Sequence, residues 1–158
     1  MKKPLIVILA GGIGTSFQPL VTNKTLIPFF GKPLLQHVIE MAEFAGFHEA
    51  LIITNPENET WLSTYQPFNI TLRTKIVRPT GMGDALLQAE DEIGNEPILV
   101  VNGCDLIDPL FLKEMVQKTL SSYAFVTGQV RSTYFPGGYI VAEGSKAVGI
   151  SEKPGAGN

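Results

Sequence analysis

Leu5-Ile6-Val7-Ile8-Leu9-Ala10-Gly11-Gly12-Ile13-Gly14-Thr15-Ser16 decides the reading of this chain. Leu5 to Leu9 is a continuous apolar run rich in β-branched residues, the pattern of a strand buried on both faces of a sheet. The glycines that follow let the backbone bend sharply and bring its N–H groups close to an anion such as a phosphate. The carboxyl end of a parallel strand is also where open α/β sheets bind their ligands. The loop does not end in the Gly-Lys-Ser/Thr of a Walker A loop, and it lacks the third glycine of a Rossmann Gly-x-Gly-x-x-Gly. Taken alone, the glycines equally suit a tight turn at positive φ.

Outward from this strand, apolar runs alternate with helical patterns. Pro33 suits the first position of a helix, where its missing N–H costs nothing. Leu34, Leu35, Val38, Ile39, Met41, Ala42 and Ala45 then recur at helical spacing until Gly46. Ala50 to Ile53 reads as a second strand, ended by Asn55-Pro56, and a short helix is expected over 57–65. Ile70 to Val77 is a third strand, and 84–93 one helix with Ala85, Leu86, Ala89 and Ile93 on one face. Ile98 to Val101 is a fourth strand. Asp108-Pro109 caps and opens a helix whose core face is Leu112, Met115, Val116 and Leu120. Ala124 to Thr127, Tyr139 to Ala142 and Val148 to Ile150 are expected as strands. Such alternation implies a three-layer α/β/α, Rossmann-like arrangement with a mostly parallel sheet.

The 158 residues suit one domain, 1–158, and 44% apolar against 17% charged residues exclude a disordered chain. A net charge of −3 offers no general attraction to nucleic acid or an anionic membrane, so neither is expected as a partner. No apolar run approaches the roughly 18 residues of a membrane span. The five apolar residues before the glycine pair fall short of a signal-peptide core of about 7–15. The single cysteine, Cys104, excludes an intramolecular disulfide and fits a reducing compartment, so a cytoplasmic protein is expected. Cys104 itself reads as a packing residue. His37 and His48 lack partners at metal-ligand spacing, and Trp61 and Tyr65 read as packing residues.

Lys24 lies ten residues after Gly14 in Val21-Thr22-Asn23-Lys24-Thr25. A lysine in this sparsely charged segment could neutralise phosphate oxygens, or stand solvated as most lysines do.

The stretch from Leu9 to Pro33 resembles the sugar-phosphate nucleotidylyltransferase family, the NDP-sugar pyrophosphorylases. The likeness rests on Leu9-Ala10-Gly11-Gly12-Ile13-Gly14-Thr15, Pro19-Leu20, Lys24 and Gly31-Lys32-Pro33. It continues through Gly81-Met82-Gly83-Asp84-Ala85-Leu86, similar to the family's helix start against the nucleotide. Asn102-Gly103-Cys104-Asp105 resembles the segment that supplies a metal-binding aspartate. Gly137-Gly138-Tyr139-Ile140-Val141 looks like the segment beside the sugar, and Glu152-Lys153-Pro154 matches the family's Glu-Lys-Pro.

The resemblance implies in-line attack of a sugar 1-phosphate on the α-phosphorus of a nucleoside triphosphate, giving an NDP-sugar and pyrophosphate. It implies that Leu9, Ala10, Gly11, Gly12, Gly14, Thr15 and Gly81 face the nucleotide. Gly138, Glu152 and Lys153 would face the sugar phosphate, and Lys24, Asp105 and Lys153 would carry the catalysis. Asp105 would hold Mg2+, for which one or two carboxylates suffice. Its alternative is a turn aspartate, and that of Glu152 is half of a surface ion pair. Ser16 stands where the family has arginine, with Arg73 and Arg78 as possible substitutes. Lys24 sits closer to the glycine loop than the family's lysine does. No glutamine stands clearly before Gly81 to name the base. Family domains run longer, so a truncated domain is expected, with an open-edged final strand pair and self-association into a homo-oligomer. The alternatives are a non-catalytic binding or regulatory homologue, and a different cytidylyl- or guanylyltransferase.

Overall fold

The computed structural model describes residues 3–12, 23–78, 81–121 and 124–155. The chain divides into two compact units, Met1–Ser121 and Ser122–Asn158.

In the first unit, β1 (Leu5–Ala10), β4 (Glu49–Thr54), β5 (Thr71–Ile76) and β6 (Ile98–Asn102) form a parallel sheet in the order β5-β4-β1-β6. Side chains alternate across it, as the strand period requires. Ile6, Ile8, Ala10, Ala50 and Ile52 enter one buried cluster, and Leu5, Val7, Leu51 and Ile53 enter the other. The first cluster is closed by α1 (Leu34–Phe44), α2 (Pro56–Leu62) and α5 (Pro109–Ser121), through Leu35, Ile39, Leu62, Leu112 and Met115. The second is closed by α3 (Met82–Leu87) and α4 (Glu90–Ile93), through Ala85, Leu86, Ala89 and Ile93. Helices therefore cover both faces. Each fully buried Leu or Ile contributes roughly 1.5–3 kcal/mol of transfer free energy.

Local chemistry sets the joints. Phe30 at φ 46° and Gly31 at φ 79° form the two-residue turn between β2 (Pro28–Phe29) and β3 (Lys32–Pro33), both at positive φ as a type I′ hairpin turn demands. Helix α1 ends in a Schellman motif: Gly46, at φ 81°, donates to Glu43 O at 2.8 Å, and Phe47 donates to Ala42 O at 3.0 Å. Asn55 caps α2 by accepting from the Asn58 N–H, ahead of Pro56 at the first helical position. Asp108 Oδ1 accepts from Leu110 N at 2.8 Å, so Asp108-Pro109 opens α5 as expected.

Four expectations need correction. Pro33 precedes α1 instead of opening it, because it is paired with Pro28 in the small hairpin. Helix α2 stops at Leu62, where Ser63 and Thr64 turn their hydroxyls onto the carbonyls of Thr60 and Trp61. The segment 84–93 is two helices. The chain leaves the helix at Ala89 (φ −110°, ψ 13°), which brings this fully buried side chain onto the sheet. Residues 124–127 form no strand, since a short apolar run becomes one only where a neighbour takes its ladder hydrogen bonds.

In the second unit β7 (Gly138–Glu143) and β8 (Lys146–Glu152) pair antiparallel, with a register shift at Val141/Ala142. Among the described residues they pair only with each other.

Candidate functional site

Numbered among the parallel strands alone, the sheet runs third-second-first-fourth, so the chain reverses its direction of winding between β1 and β6. The carboxyl ends on either side of that reversal diverge from their crossovers and leave a crevice, the ligand position of open α/β sheets. Here the two ends are Ala10-Gly11-Gly12 and Asn102-Gly103-Cys104-Asp105.

The two ends are tightly joined. Leu9 pairs with Asn102 in the ladder, and Gly103 N donates to Leu9 O at 2.8 Å. A side chain at Gly103 would put its Cβ 3.1 Å from Ala10 Cβ and 3.2 Å from Leu9 O, so this close approach favours glycine. Past it, Asp105 is exposed at the crevice, its Oδ2 accepting from Asn102 Nδ2 at 2.7 Å and its N–H donating to Asn102 O at 3.2 Å. The carboxylate is thus oriented by its own turn, with Oδ1 3.8 Å from the Cys104 sulfur.

Lys24 reaches the same place from another segment. It opens a 3-10 turn, Lys24–Leu26, and its ammonium lies close enough to the Cys104 thiol to favour the thiolate. Burial pushes that thiol above its ordinary value; Lys24 opposes the shift and Asp105 adds to it. A cation and a carboxylate therefore both act on the thiol beside the end of β1. The half-buried Cys104 is a site neighbour rather than a core residue.

The turn that carries Lys24 is held by residues the sequence reading missed. Asn23, Thr25 and Asn58 are all buried and bonded to one another, and Asn58 Nδ2 also donates to Ala10 O at 2.6 Å. Asn55 Nδ2 lies 3.5 Å from Gly11 O. The available signal was a cluster of asparagines, Asn23, Asn55 and Asn58, beside apolar strands; only their contacts separate it from ordinary capping.

Leu9, Ala10, Gly11 and Gly12 line the end of β1. Gly81 stands before α3 with extended backbone, its carbonyl accepting from Ala85 N at 3.0 Å. Gly14, Thr15, Ser16, Pro19 and Leu20 lie outside the described residues. Arg73 is no substitute for the family arginine. Its Nε is 2.7 Å from Glu49 and its Nη1 3.3 Å from Glu92, at the opposite end of the sheet beside Lys3 and Pro4. Arg78 follows β5 at the carboxyl end and is exposed.

In the second unit, Gly138 pairs with Glu152 across the ladder, and a Cβ on Gly138 would lie 3.2 Å from Glu152 Oε2. Lys153, at φ 44°, donates its N–H to Gly137 O at 3.0 Å. Its ammonium is 3.9 Å from Glu152, and both side chains are about two-thirds exposed (64% and 68%). The ladder thus brings Gly138, Glu152 and Lys153 together.

Trp61 and Tyr65 stack at 4.8 Å against the first cluster, as packing residues. His37 bonds Phe29 O at 2.7 Å in the hairpin. Among the described residues no group of three or more His, Cys, Asp or Glu could hold a metal ion unaided, and no helix is long and apolar enough to cross a membrane.

A parallel sheet of this winding, with a glycine-ended first strand and a lysine and an aspartate at its switch point, has the architecture of an open α/β ligand-binding protein. The family model of the MobA-like NTP transferase domain matches residues 6–139, and the chain belongs to that family. It is 30% identical over 161 residues to glucose-1-phosphate thymidylyltransferase of Mycolicibacterium smegmatis, covering 94% of this chain and 54% of that protein. It is 31% identical to mannose-1-phosphate guanylyltransferase 1 of Arabidopsis thaliana, covering 92% of this chain and 43% of that one. The crystal structure of a putative glucose-1-phosphate thymidylyltransferase from Bacillus anthracis superposes with a TM-score of 0.74 at 22% identity, over 95% of this chain and 65% of that one, and shares its fold. The chain spans about half the length of the curated relatives it matches.

Proposed function

We propose that this chain carries the nucleotide-binding part of a sugar-1-phosphate nucleotidylyltransferase, and that both compact units belong to one such domain. The observation that carries the reading is that the turn bearing Lys24 is tied through Thr25 and Asn58 to Ala10 O, and the turn bearing Asp105 through Gly103 to Leu9 O, at the same glycine-ended β1. The match of one family model across residues 6–139, on both sides of the boundary between the units, supports a single domain. Relatives named for thymidylyl and guanylyl transfer to hexose 1-phosphates support the substrate class, a nucleoside triphosphate and a sugar 1-phosphate.

In this reaction a sugar-phosphate oxygen bonds to the α-phosphorus, and the bond from that phosphorus to the β-bridging oxygen breaks, its electron pair leaving with pyrophosphate. The nucleophile is already an anion, so no general base is needed; the task is to align two anions and neutralise them. Peptide N–H groups of Ala10 to Gly12, with Gly14 and Thr15 beyond, take the triphosphate, and Gly81 borders the nucleotide. Lys24 faces its oxygens as a point charge. Gly138, Glu152 and Lys153 take the sugar phosphate, Glu152 by accepting from hydroxyls and Lys153 by its charge. The exposed, pre-oriented Asp105 fits a hard cation such as Mg2+, which keeps most of its shell from water and substrate phosphates. When bound, that ion supplies charge neutralisation at the phosphates.

Thermal unfolding with each of the four common nucleoside triphosphates and magnesium chloride tests the reading. A ligand at a hundred times its Kd stabilises by about 2.7 kcal/mol, a rise of roughly 5–10 °C at this size. A shift selective for one base and lost in Asp105→Ala is expected; no shift with any triphosphate would overturn it. Ser16, in place of the family arginine, favours a second reading, a binding homologue that does not turn over. A triphosphate shift without pyrophosphate release would select that one.

A further inference from the structure

Asn23, Thr25 and Asn58 form a closed ring of side-chain hydrogen bonds with one consistent direction. Asn23 Nδ2 donates to Asn58 Oδ1 at 2.5 Å, Asn58 Nδ2 donates to Thr25 Oγ1 at 3.0 Å, and Thr25 Oγ1 donates to Asn23 Oδ1 at 2.8 Å. Around the ring each member gives one proton and takes one, and Thr25 Oγ1 also lies 3.2 Å from Asn58 Oδ1, so both amides and the hydroxyl are used. The second Asn58 amide proton goes to Ala10 O at 2.6 Å, and Asn23 Oδ1 also accepts from Thr25 N at 3.2 Å. All three residues are at most 4% exposed. Buried polar networks rigidify when fully satisfied and fail together when one member is lost.

The ring ties three distant pieces of chain: the 3-10 turn, the first turn of α2 and the last residue of β1. Lys24 is the residue between two of its members. Because the Ala10–Gly11 peptide is planar, holding its carbonyl on Asn58 turns the Gly11 N–H the opposite way. One ring thus sets both the base of the lysine and the direction of a backbone donor in the glycine loop.

We propose that Thr25 and Asn58 are positioning residues of the nucleotide site, acting through Lys24 and the Ala10–Gly11 peptide on the triphosphate. This rests on Lys24 being the phosphate-facing cation of the proposed function. Neither residue touches the substrate. Their role is to remove the freedom that a lysine on a short turn would otherwise lose on binding.

The test uses the full chain and calorimetric titration with ATP, GTP, UTP and dTTP in magnesium chloride, the tightest of the four serving for all variants. Thr25→Val keeps the shape and removes the hydroxyl; Thr25→Ser keeps the hydroxyl. Thr25→Val and Asn58→Asp are expected to weaken binding at least fivefold, and Thr25→Ser to stay within twofold of the parent. In a Lys24→Met background Thr25→Val is expected to cost a smaller factor than in the parent, the part carried by the Ala10–Gly11 peptide remaining, the non-additivity of residues acting through one another. A merely structural ring would lower the melting temperature in Thr25→Val and leave Kd unchanged, and that result overturns the proposal. So does full multiplication of the Lys24 and Thr25 effects. A Lys24→Met variant that binds like the parent sinks the Lys24 reading itself. An effective Lys24→Met with a silent Thr25→Val sinks the positioning role alone.

Discussion

The amide of Gly103 donates to the carbonyl of Leu9 at 2.8 Å, and this bond carries the β1–β6 pairing one residue beyond the strand that ends at Asn102. It brings the turn bearing Asp105 against the start of the glycine loop. With Ala10 Cβ at 3.1 Å and Leu35 Cδ1 at 3.3 Å from where a Cβ would stand, an added side chain requires its neighbours to shift by a few tenths of an ångström.

Gly103→Ala should therefore destabilise the protein by about 1–3 kcal/mol, the usual cost of overpacking a core. At this size that lowers Tm by about 2–12 °C. Calorimetry checks it, and an unchanged melting temperature would show that the turn is looser than its contacts indicate.

Asp105→Asn keeps an oxygen to accept from Asn102 and loses the charge. Tm should hardly move, while magnesium-dependent pyrophosphate release falls by about 10²–10³, the scale of losing one charge-stabilising group. Rate measurements across magnesium concentration separate this from simple unfolding. Equal rates in both proteins would remove Asp105 from the metal site.

The Cys104 thiol is held up by burial, and the Lys24 ammonium is the group that opposes that shift. Alkylation by iodoacetamide should thus be slow near neutral pH and rise with pH as the thiolate forms. Lys24→Met removes the opposing charge, so the thiol should titrate higher still and react more slowly at a given pH. A faster reaction would show that Lys24 shields the sulfur sterically instead of stabilising its anion.

Glu40 is subject to burial, which raises its carboxyl, but hydrogen bonds from Lys32 and Gln36 outweigh this and hold it below the ordinary value. Both Glu40 oxygens lie 2.9 Å from the Lys32 ammonium. The stabilisation is complete above the ordinary carboxylate pKa and disappears as pH falls through the lowered one. Because the pair is partly exposed, it is worth at most about 1 kcal/mol. Urea unfolding of Lys32→Met and the parent should differ by that amount at pH 7 and converge as the pH falls through the lowered carboxyl value. A difference that survives in acid would assign it to packing of the lysine stem.

How much of this was legible in advance differs element by element. The strand at Leu5 and the helices at Leu34 and Pro109 follow from apolar spacing and their boundary residues. The 84–93 segment reads as one helix because its apolar residues keep one period. The break at Ala89 comes from the sheet beneath, which admits a fully buried alanine there. The 124–127 strand was expected from composition alone, and strand formation depends on a partner that composition does not reveal.

The same boundary runs through the site. Apolar period, turn glycines and capping residues act within a few positions of themselves, so they suffice for an alternating α/β chain with a glycine loop after its first strand. Lys24, Asn58 and Asp105 are brought together only by the strand order β5-β4-β1-β6, which the crossovers decide and no local pattern encodes. That order places β6 beside β1 and sends Arg73, an equal candidate in the sequence, to the far end of the sheet with Glu49 and Glu92. The asparagines became a ring because burial left their amides no water to bond, and only each other, Thr25 and the end of β1 were within reach.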